Sequence, residues 1–333
     1  MSFQNCIIKA INVNSKEYHQ PEDRGLVSFP MSSSALRAFD MCPARWLRGY
    51  NPPDSEAKDF GNLLDCALLT PDQMELRYAV QPLKYTVSKE GFPGFEEKKW
   101  NNNATVCREW TQKQRGQSRE VISTKDEVAV VDACQSIRKD EVAAAFIDAS
   151  DKQVWIAGEW LDEKTKLVIP VKCLIDLVPR VDSEYRKCVG DLKTTRNAKP
   201  EPWSRWCYTA GYFIQAAWNL DMLVAATGED RVDFCFLLVE NYAPWQSAKR
   251  LLSGEFMELG RAEYKRMMGL YARCLIAGHW PSYDETDEAA PGGWTITAPE
   301  PWQAERGMFA PHYVLEDEPE GEPEPQMADD LIA

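Results

Sequence analysis

Val168-Ile-Pro-Val-Lys-Cys-Leu-Ile-Asp176-Leu-Val178 and Lys187-Cys-Val-Gly-Asp191-Leu-Lys193-Thr-Thr195 are the stretches whose reading decides the fold. Both are apolar, β-branched runs of strand length, separated by a short turn, and they read as two neighbouring strands of a hairpin. Asp176 interrupts its run between Cys-Leu-Ile and Leu-Val-Pro. Burying such a carboxylate is costly unless it is paired or bound to a metal. Asp191 and Lys193 lie two residues apart and therefore project from one face of their strand. If the strands pair, two carboxylates and one ammonium meet at one end of a sheet. Two carboxylates suit a hard divalent cation, and an ammonium beside them can hold a water or a developing anion. The competing reading is strand-end charge in solvent. The surrounding apolar residues favour the metal site, and with it metal-assisted phosphodiester hydrolysis.

Working outward, Val154–Leu161 reads as the strand before these two and Val232–Glu240 as a fourth. Helical periodicity marks Asp54–Leu69, with Phe60, Leu63, Leu64, Ala67 and Leu68 on one face. It also marks Lys125–Ser150, with Val128, Val131, Cys134, Ile137, Val142 and Phe146 recurring at helical spacing. Arg205–Thr227 and Leu251–Gly278 read as two further helices, each continuous. Met31-Ser-Ser-Ser34 offers N-caps to a helix from Ala35, and Pro43 breaks or kinks that helix. Residues 80–120 read as a polar surface excursion with some helix, and residues 1–30 as an irregular leader or an edge strand. The order of helix, three meandering strands, helix, strand, helix predicts an α/β fold with a mixed central sheet flanked by helices. After Trp302 the chain turns rich in Pro and Glu, and 303–333 is expected to be an acidic, disordered tail.

The bulk composition narrows the function classes. The 333 residues are 44% apolar and 11% aromatic, an ordinary globular content. No apolar run reaches membrane-spanning length, and Met1–Ala10 does not read as a secretory signal. The ten cysteines are scattered singly with no CxxC pair, as expected of reduced core thiols in a cytoplasmic protein and not of zinc or iron–sulfur ligands. His19, His279 and His312 lie in no nucleophile context, and there is no phosphate loop, which argues against serine-hydrolase and ATP-driven chemistry. The net charge of −14 sits awkwardly with a polyanionic substrate. Val314–Ala333 holds eight acids and no base, however, and without it the charge is −6. The basic cluster Lys193/Arg196/Lys199/Arg205 stands beside the candidate site, where local field governs DNA contact.

At this point the sequence resembles a known family. Gly190-Asp-Leu-Lys-Thr-Thr195 with the upstream Asp176 is similar to the PD-(D/E)XK nuclease signature. Four further segments resemble its exonuclease VIII (RecE-type) branch: Met31–Trp46 its opening helix, Phe60–Pro71 its second helix, and Gly211–Trp218 its glutamine helix. Gly278–Tyr283 with Ala298–Trp302 resembles its closing segment. The resemblance spans roughly 31–302, so that stretch is expected to be one nuclease domain with a restriction-endonuclease-like core.

The resemblance implies that Asp176 and Asp191 ligate Mg²⁺, with Mn²⁺ as a substitute. Lys193 would orient the attacking water or stabilise the transition state, and Gln215 and Tyr212 would position the substrate strand or the lysine. It further implies a 5′→3′ exonuclease that degrades one strand of linear duplex DNA for phage-type recombination in a bacterial cytoplasm. A ring-shaped homo-oligomer and a single-strand annealing protein would be its partners. The alternatives are a structure-specific endonuclease of the same superfamily and a decayed DNA-end-binding protein. Two departures motivate the last. Asp65 stands where such enzymes usually carry a histidine, and Asn219 where they carry a tyrosine. Asp65 is either a hard metal ligand or a drifted position. Glu159 is either a second-metal ligand or an edge-strand surface charge. Arg196 and Arg205 either clamp a terminal 5′-phosphate or attract the DNA backbone without specific contact. The tryptophans at 203, 206 and 218 either stack on unpaired bases or pack in the core. The acidic tail either solubilises the chain or docks on a partner.

Overall fold

The computed structural model describes residues 2–13, 15–18, 23–50, 56–88, 95–283 and 285. Of the chain's two compact units, Met1–Ser282 holds every element described below. The segment expected as an acidic tail lies outside the described residues.

The chain opens with β1 (Ser2–Ala10), α1 (Ser15–Tyr18), α2 (Ser33–Met41), α3 (Pro43–Leu47) and α4 (Glu56–Leu69). The excursion between the main elements comprises α5 (Met74–Arg77), β2 (Tyr78–Val80), β3 (Lys84–Ser88), β4 (Phe95–Lys99), α6 (Thr105–Gly116) and β5 (Glu120–Ile122). Then come α7 (Thr124–Arg138), α8 (Glu141–Asp148), β6 (Ser150–Leu161), β7 (Val168–Pro179) and β8 (Cys188–Thr195). The chain continues with α9 (Pro200–Thr209), α10 (Tyr212–Thr227), β9 (Asp233–Glu240), β10 (Ser247–Leu251) and α11 (Gly254–Ala277).

Six strands form one mixed sheet in the order β1-β6-β7-β8-β9-β10. Within this sheet β8 and β9 pair in parallel, because α9 and α10 carry the chain back between them, and the other neighbours are antiparallel. Each face of the sheet is apolar and each is covered by helices. One core joins Leu36 and Phe39 of α2, Trp46 of α3, and the buried stripes of α10 and α11 to Val171, Cys173 and Ile175 of β7. The other joins Leu63, Leu64 and Leu68 of α4, Val130 and Ile137 of α7, and Phe146 of α8 to Leu177, Leu192 and Val239. Removing each such side chain from water contributes about 1.5–3 kcal/mol, so the sheet is fixed from both sides. The expected α/β architecture with helices flanking a mixed sheet is what the chain forms.

Several local expectations are corrected. Residues 1–30 are not wholly an irregular leader: Ser2–Ala10 is the edge strand β1, paired antiparallel with β6. Register shifts between Gln4 and Ile7 and between Ile8 and Ala10, with Asn5 at φ 51°, break the period-two pattern and hide the strand in the sequence. Lys125–Ser150 is two helices, because Asp140 caps a new start by accepting the Ala143 N–H at 2.9 Å. Val128, Val131 and Val142 face solvent there, while Val130, Ala133 and Ile137 carry the buried stripe. Arg205–Thr227 divides into α9 and α10 at Gly211, whose φ of 68° is left-handed. Leu251 ends strand β10, and the last helix begins at Gly254. The caps at Ser32 and the break at Pro43 are as read, with Ala35 donating to Ser32 Oγ at 3.3 Å.

Candidate active site

The site lies where β7 and β8 part. Their ladder consists of the pair Leu177–Gly190, and the adjoining pair would be Asp176 and Asp191. Beyond it Met31 takes the edge of β7: its N–H donates to the Pro170 carbonyl, and its own carbonyl accepts from Lys172. The Leu192 N–H, which a continuing ladder would have given to a backbone carbonyl, donates instead to Asp176 Oδ2 at 2.9 Å. Gly190 lets the Phe146 ring of α8 pack against β8 at this point, since a Cβ there would meet Phe146 Cε1 at 2.5 Å. The two stretches thus become neighbouring antiparallel strands whose divergence leaves two aspartates side by side.

Each carboxylate is held by a glutamine. Gln215, in the first turn of α10, donates from Nε2 to Asp191 Oδ1 at 2.8 Å. Gln153 of β6 donates from Nε2 to Asp176 Oδ1 at 3.1 Å. Asp191 is 1% exposed; its Oδ2 is ion-paired with Lys193 Nζ but receives no hydrogen bond of good geometry. Lys193 Nζ also lies 3.4 Å from the Leu192 carbonyl and 5.3 Å from the centre of the Tyr212 ring. Tyr212 is in turn stacked on Trp203, with ring centres 5.7 Å apart.

The electrostatics are those of crowded acids around one cation. Burial, and then the charges of Asp191 and Asp65, hold the Asp176 carboxyl well above the usual carboxylate range. Asp65, reaching in from α4, is pushed up to about 7 by burial and by Asp191, against the pull of Lys193 and Arg77. Burial disfavours the Lys193 ammonium, but the carboxylates of Asp191 and Asp176 outweigh it, and its affinity for the proton is raised. Among the described residues, no group of three or more His, Cys, Asp or Glu side chains is placed to hold a metal ion. The donor set still suits one. Asp176 and Asp191 offer hard oxygens, the buried Asp191 Oδ2 has the Lys193 ammonium as its partner and no further hydrogen bond, and Asp65 lies within electrostatic reach.

Asp176, Asp191, Lys193, Gln215 and Tyr212 are therefore brought together, with Asp65 in their field. Glu159 is not. It lies across from Pro170, about 20 Å along β7 from Asp176 at roughly 3.3 Å per residue, and accepts from Asn5 at 2.6 Å. That corrects its reading as a second-metal ligand. Arg196 is exposed just past β8, and Arg205 points outward on α9 toward Glu201. Trp203 and Trp218 are core, whereas Trp206 is half exposed. Asn219 is buried, with its Nδ2 lacking a hydrogen-bond partner.

Sequence reasoning missed two residues. Gln153 sits in a strand that reads as ordinary. Arg37, on α2, donates to the Ser33 carbonyl at 3.3 Å and to the Ala210 carbonyl beside the Gly211 turn. Its guanidinium lies 5.9 Å from the Tyr212 ring and is felt by Asp191. A signal for Arg37 existed in the opening-helix segment, Met31–Trp46.

Residues 32–290 match the family described as a PDDEXK-like domain of unknown function (DUF3799). The chain belongs to this family. Among curated proteins none matches. Among solved structures, this PDDEXK-like chain is similar to a protein from Eubacterium rectale described as a "putative exonuclease". The two are 14% identical with a TM-score of 0.53, over 90% of this chain and 99% of that one. Such a likeness establishes a shared fold. PDDEXK-like nucleases generally use divalent metal ions, consistent with the oxygen-rich site. Among the described residues no helix is long and apolar enough to cross a membrane.

Proposed function

We propose that this PDDEXK-like protein is a metal-dependent deoxyribonuclease of the exonuclease VIII (RecE) type, degrading one strand of linear duplex DNA from the 5′ end. One observation carries the reading. Asp176, Asp191 and Lys193 converge where β7 and β8 separate, and Gln215 fixes the orientation of Asp191. Asp176 and Asp191 are the residues that would hold Mg²⁺ or Mn²⁺, with Asp65 as a third acid. A divalent cation there would supply Lewis-acid activation of water and offset charge on the scissile phosphate.

The chain's own groups do the rest. Lys193, held as an ammonium by its two acids, orients a water or stabilises charge as it develops on the phosphate oxygens. Gln215 keeps Asp191 in one rotamer. Tyr212, fixed against Trp203, limits where the lysine head can move. The polarity, a ring-shaped homo-oligomer, a single-strand annealing partner, a phage recombination role and a cytoplasmic setting belong to the same proposal and rest on the RecE-type motifs.

One observation favours a second reading, a decayed DNA-end-binding protein: no three-ligand metal group is formed among the described residues. Purified full-length protein with Mg²⁺ or Mn²⁺ separates the two. The exonuclease releases label from a 5′-labelled duplex before a 3′-labelled one and leaves a covalently closed circle intact. A cut circle points to a structure-specific endonuclease. Binding to ends without release of label under either metal supports the decayed reading.

A further inference from the structure

We infer that Gln153 is a positioning residue for Asp176, the counterpart on β6 of what Gln215 is for Asp191; this rests on the metal-dependent nuclease reading above. Three observations combine. Gln153 is 7% exposed, and its amide donates to Asp176 Oδ1 at 3.1 Å. It sits between the pairs Lys152–Leu177 and Val154–Ile175, directly across the ladder from Asp176. Its backbone has φ 49°, a left-handed conformation inside a twelve-residue strand.

A long side chain in that conformation is disfavoured, and it persists only where its surroundings hold it. Here the Gln153 carbonyl accepts the N–H of the buried Val13 at 3.2 Å, and the amide is spent on the carboxylate.

Asp176 has four lone-pair directions. The Leu192 N–H and the Gln153 amide occupy one on each oxygen and fix the carboxylate plane. The remaining directions stay available for a cation. A lysine or arginine at 153 would give the same geometry but would add positive charge where the site must attract a divalent ion. Glutamine donates without changing the charge. The same neutral donor at 215 serves Asp191, and the cation in direct contact with the pair is Lys193.

The test uses full-length protein, Mn²⁺ as the probe, and two variants. Gln153→Met keeps the chain length and removes the donor; Gln153→Gly removes the donor and relieves the left-handed backbone. Mn²⁺ affinity is read by electron paramagnetic resonance or calorimetry, folding by thermal melting, and turnover on a linear duplex as kcat and KM. The expected result is a ten- to hundredfold loss of Mn²⁺ affinity in both variants. At saturating metal, kcat falls and KM for DNA is nearly unchanged. Gln153→Gly melts no lower than Gln153→Met, so the loss at the site is separable from loss of the fold.

Wild-type Mn²⁺ affinity in a variant that melts lower would make Gln153 structural only and overturn the inference, leaving the nuclease reading intact. A wild-type protein that takes up no Mn²⁺ and cuts no DNA removes both.

Discussion

Gly260 links packing to chemistry, and Gly260→Ala is the substitution that exposes the link. Gly260 lies on α11 where that helix presses on the first turns of α10. A Cβ at this position would meet the Phe213 carbonyl oxygen at 2.4 Å and Ala217 Cβ at 2.9 Å. The first of these is backbone and cannot rotate away, so the helices must separate by about 1 Å to restore ordinary contact. Overpacking of this kind costs about 1–3 kcal/mol. The better helix propensity of alanine returns about 1 kcal/mol, leaving a net loss of about 1 kcal/mol at the middle of that range. That corresponds to a melting temperature lower by about 2 °C. Phe213 lies between Tyr212 and Gln215, so the same shift moves the amide that holds Asp191 at 2.8 Å. A displacement of about 1 Å at such a group costs roughly a hundredfold in rate. Gly254→Ala, in the first turn of the same helix with nothing within 4 Å of the added carbon, is the matched control and should melt and cut as wild type does. Thermal melting and turnover on a linear duplex read both effects. Gly260→Ala with unchanged melting would refute the close approach of the two helices. Lowered melting with unchanged kcat would refute the claim that α10 transmits packing to the site.

Three other outcomes are expected. Lys193→Ala lowers cleavage by about 10²-fold or more and, measured in EDTA, destabilises the protein by about 3 kcal/mol, because Asp191 is left buried without its cation. Added Mg²⁺ should return part of that loss, and a metal-free melt equal to wild type would count against the ion pair. The second outcome concerns pH. The Asp65 carboxyl sits at about 7 in the folded metal-free protein against an ordinary value near 3.8. The folded state therefore holds an extra proton between those values, and its stability falls as pH rises through that window. Melting in EDTA should be lower at pH 8 than at pH 5, and Asp65→Asn should flatten the slope; a slope of opposite sign would show that the acids do not crowd. Third, Arg37→Met removes the donor that ties α2 to the Ala210 carbonyl and the Gly211 turn. Turnover should fall about tenfold or more while DNA affinity changes little; equal losses in both would place Arg37 on the DNA instead.

The parts of this molecule that were legible in the sequence share a property: their signal is local. Asp176 breaks an apolar run, Asp191 and Lys193 obey strand alternation, and Ser32 and Pro43 announce their cap and break within a few residues. The α4 stripe of Leu63, Leu64 and Leu68 is buried as its spacing predicts. The α7 stripe misled because valine is the more conspicuous residue, yet the packing surface uses Ala133 and leaves Val128 and Val131 in solvent. Two local signals were present and underused: Gly211, suited to the left-handed corner, and Asp140, three residues before the N–H it caps. Gln153 had no such signal. Its role depends on a backbone torsion and on what lies across the ladder, and neither can be read from its neighbours in the chain. Glu159 is the converse case, since an acid on the right strand lies far from the site once register is fixed.

Register is also the physical origin of the site. A ladder that continued past Leu177 and Gly190 would pair the backbones of Asp176 and Asp191 and keep the strands closed. Instead the strands part after that pair, and further along β7 Met31 takes the free edge at Val171. Parting leaves the Leu192 N–H without a backbone acceptor in a buried place, a debt of about 1–3 kcal/mol if unmet. The Asp176 carboxylate meets it, which draws that acid inward against Asp191 at the price of electrostatic repulsion. Lys193 and the two glutamines offset the repulsion in part; burial first, and then the charge that is left, raises the proton affinities of Asp176 and Asp65. A divalent cation is the ligand best able to cancel that remainder.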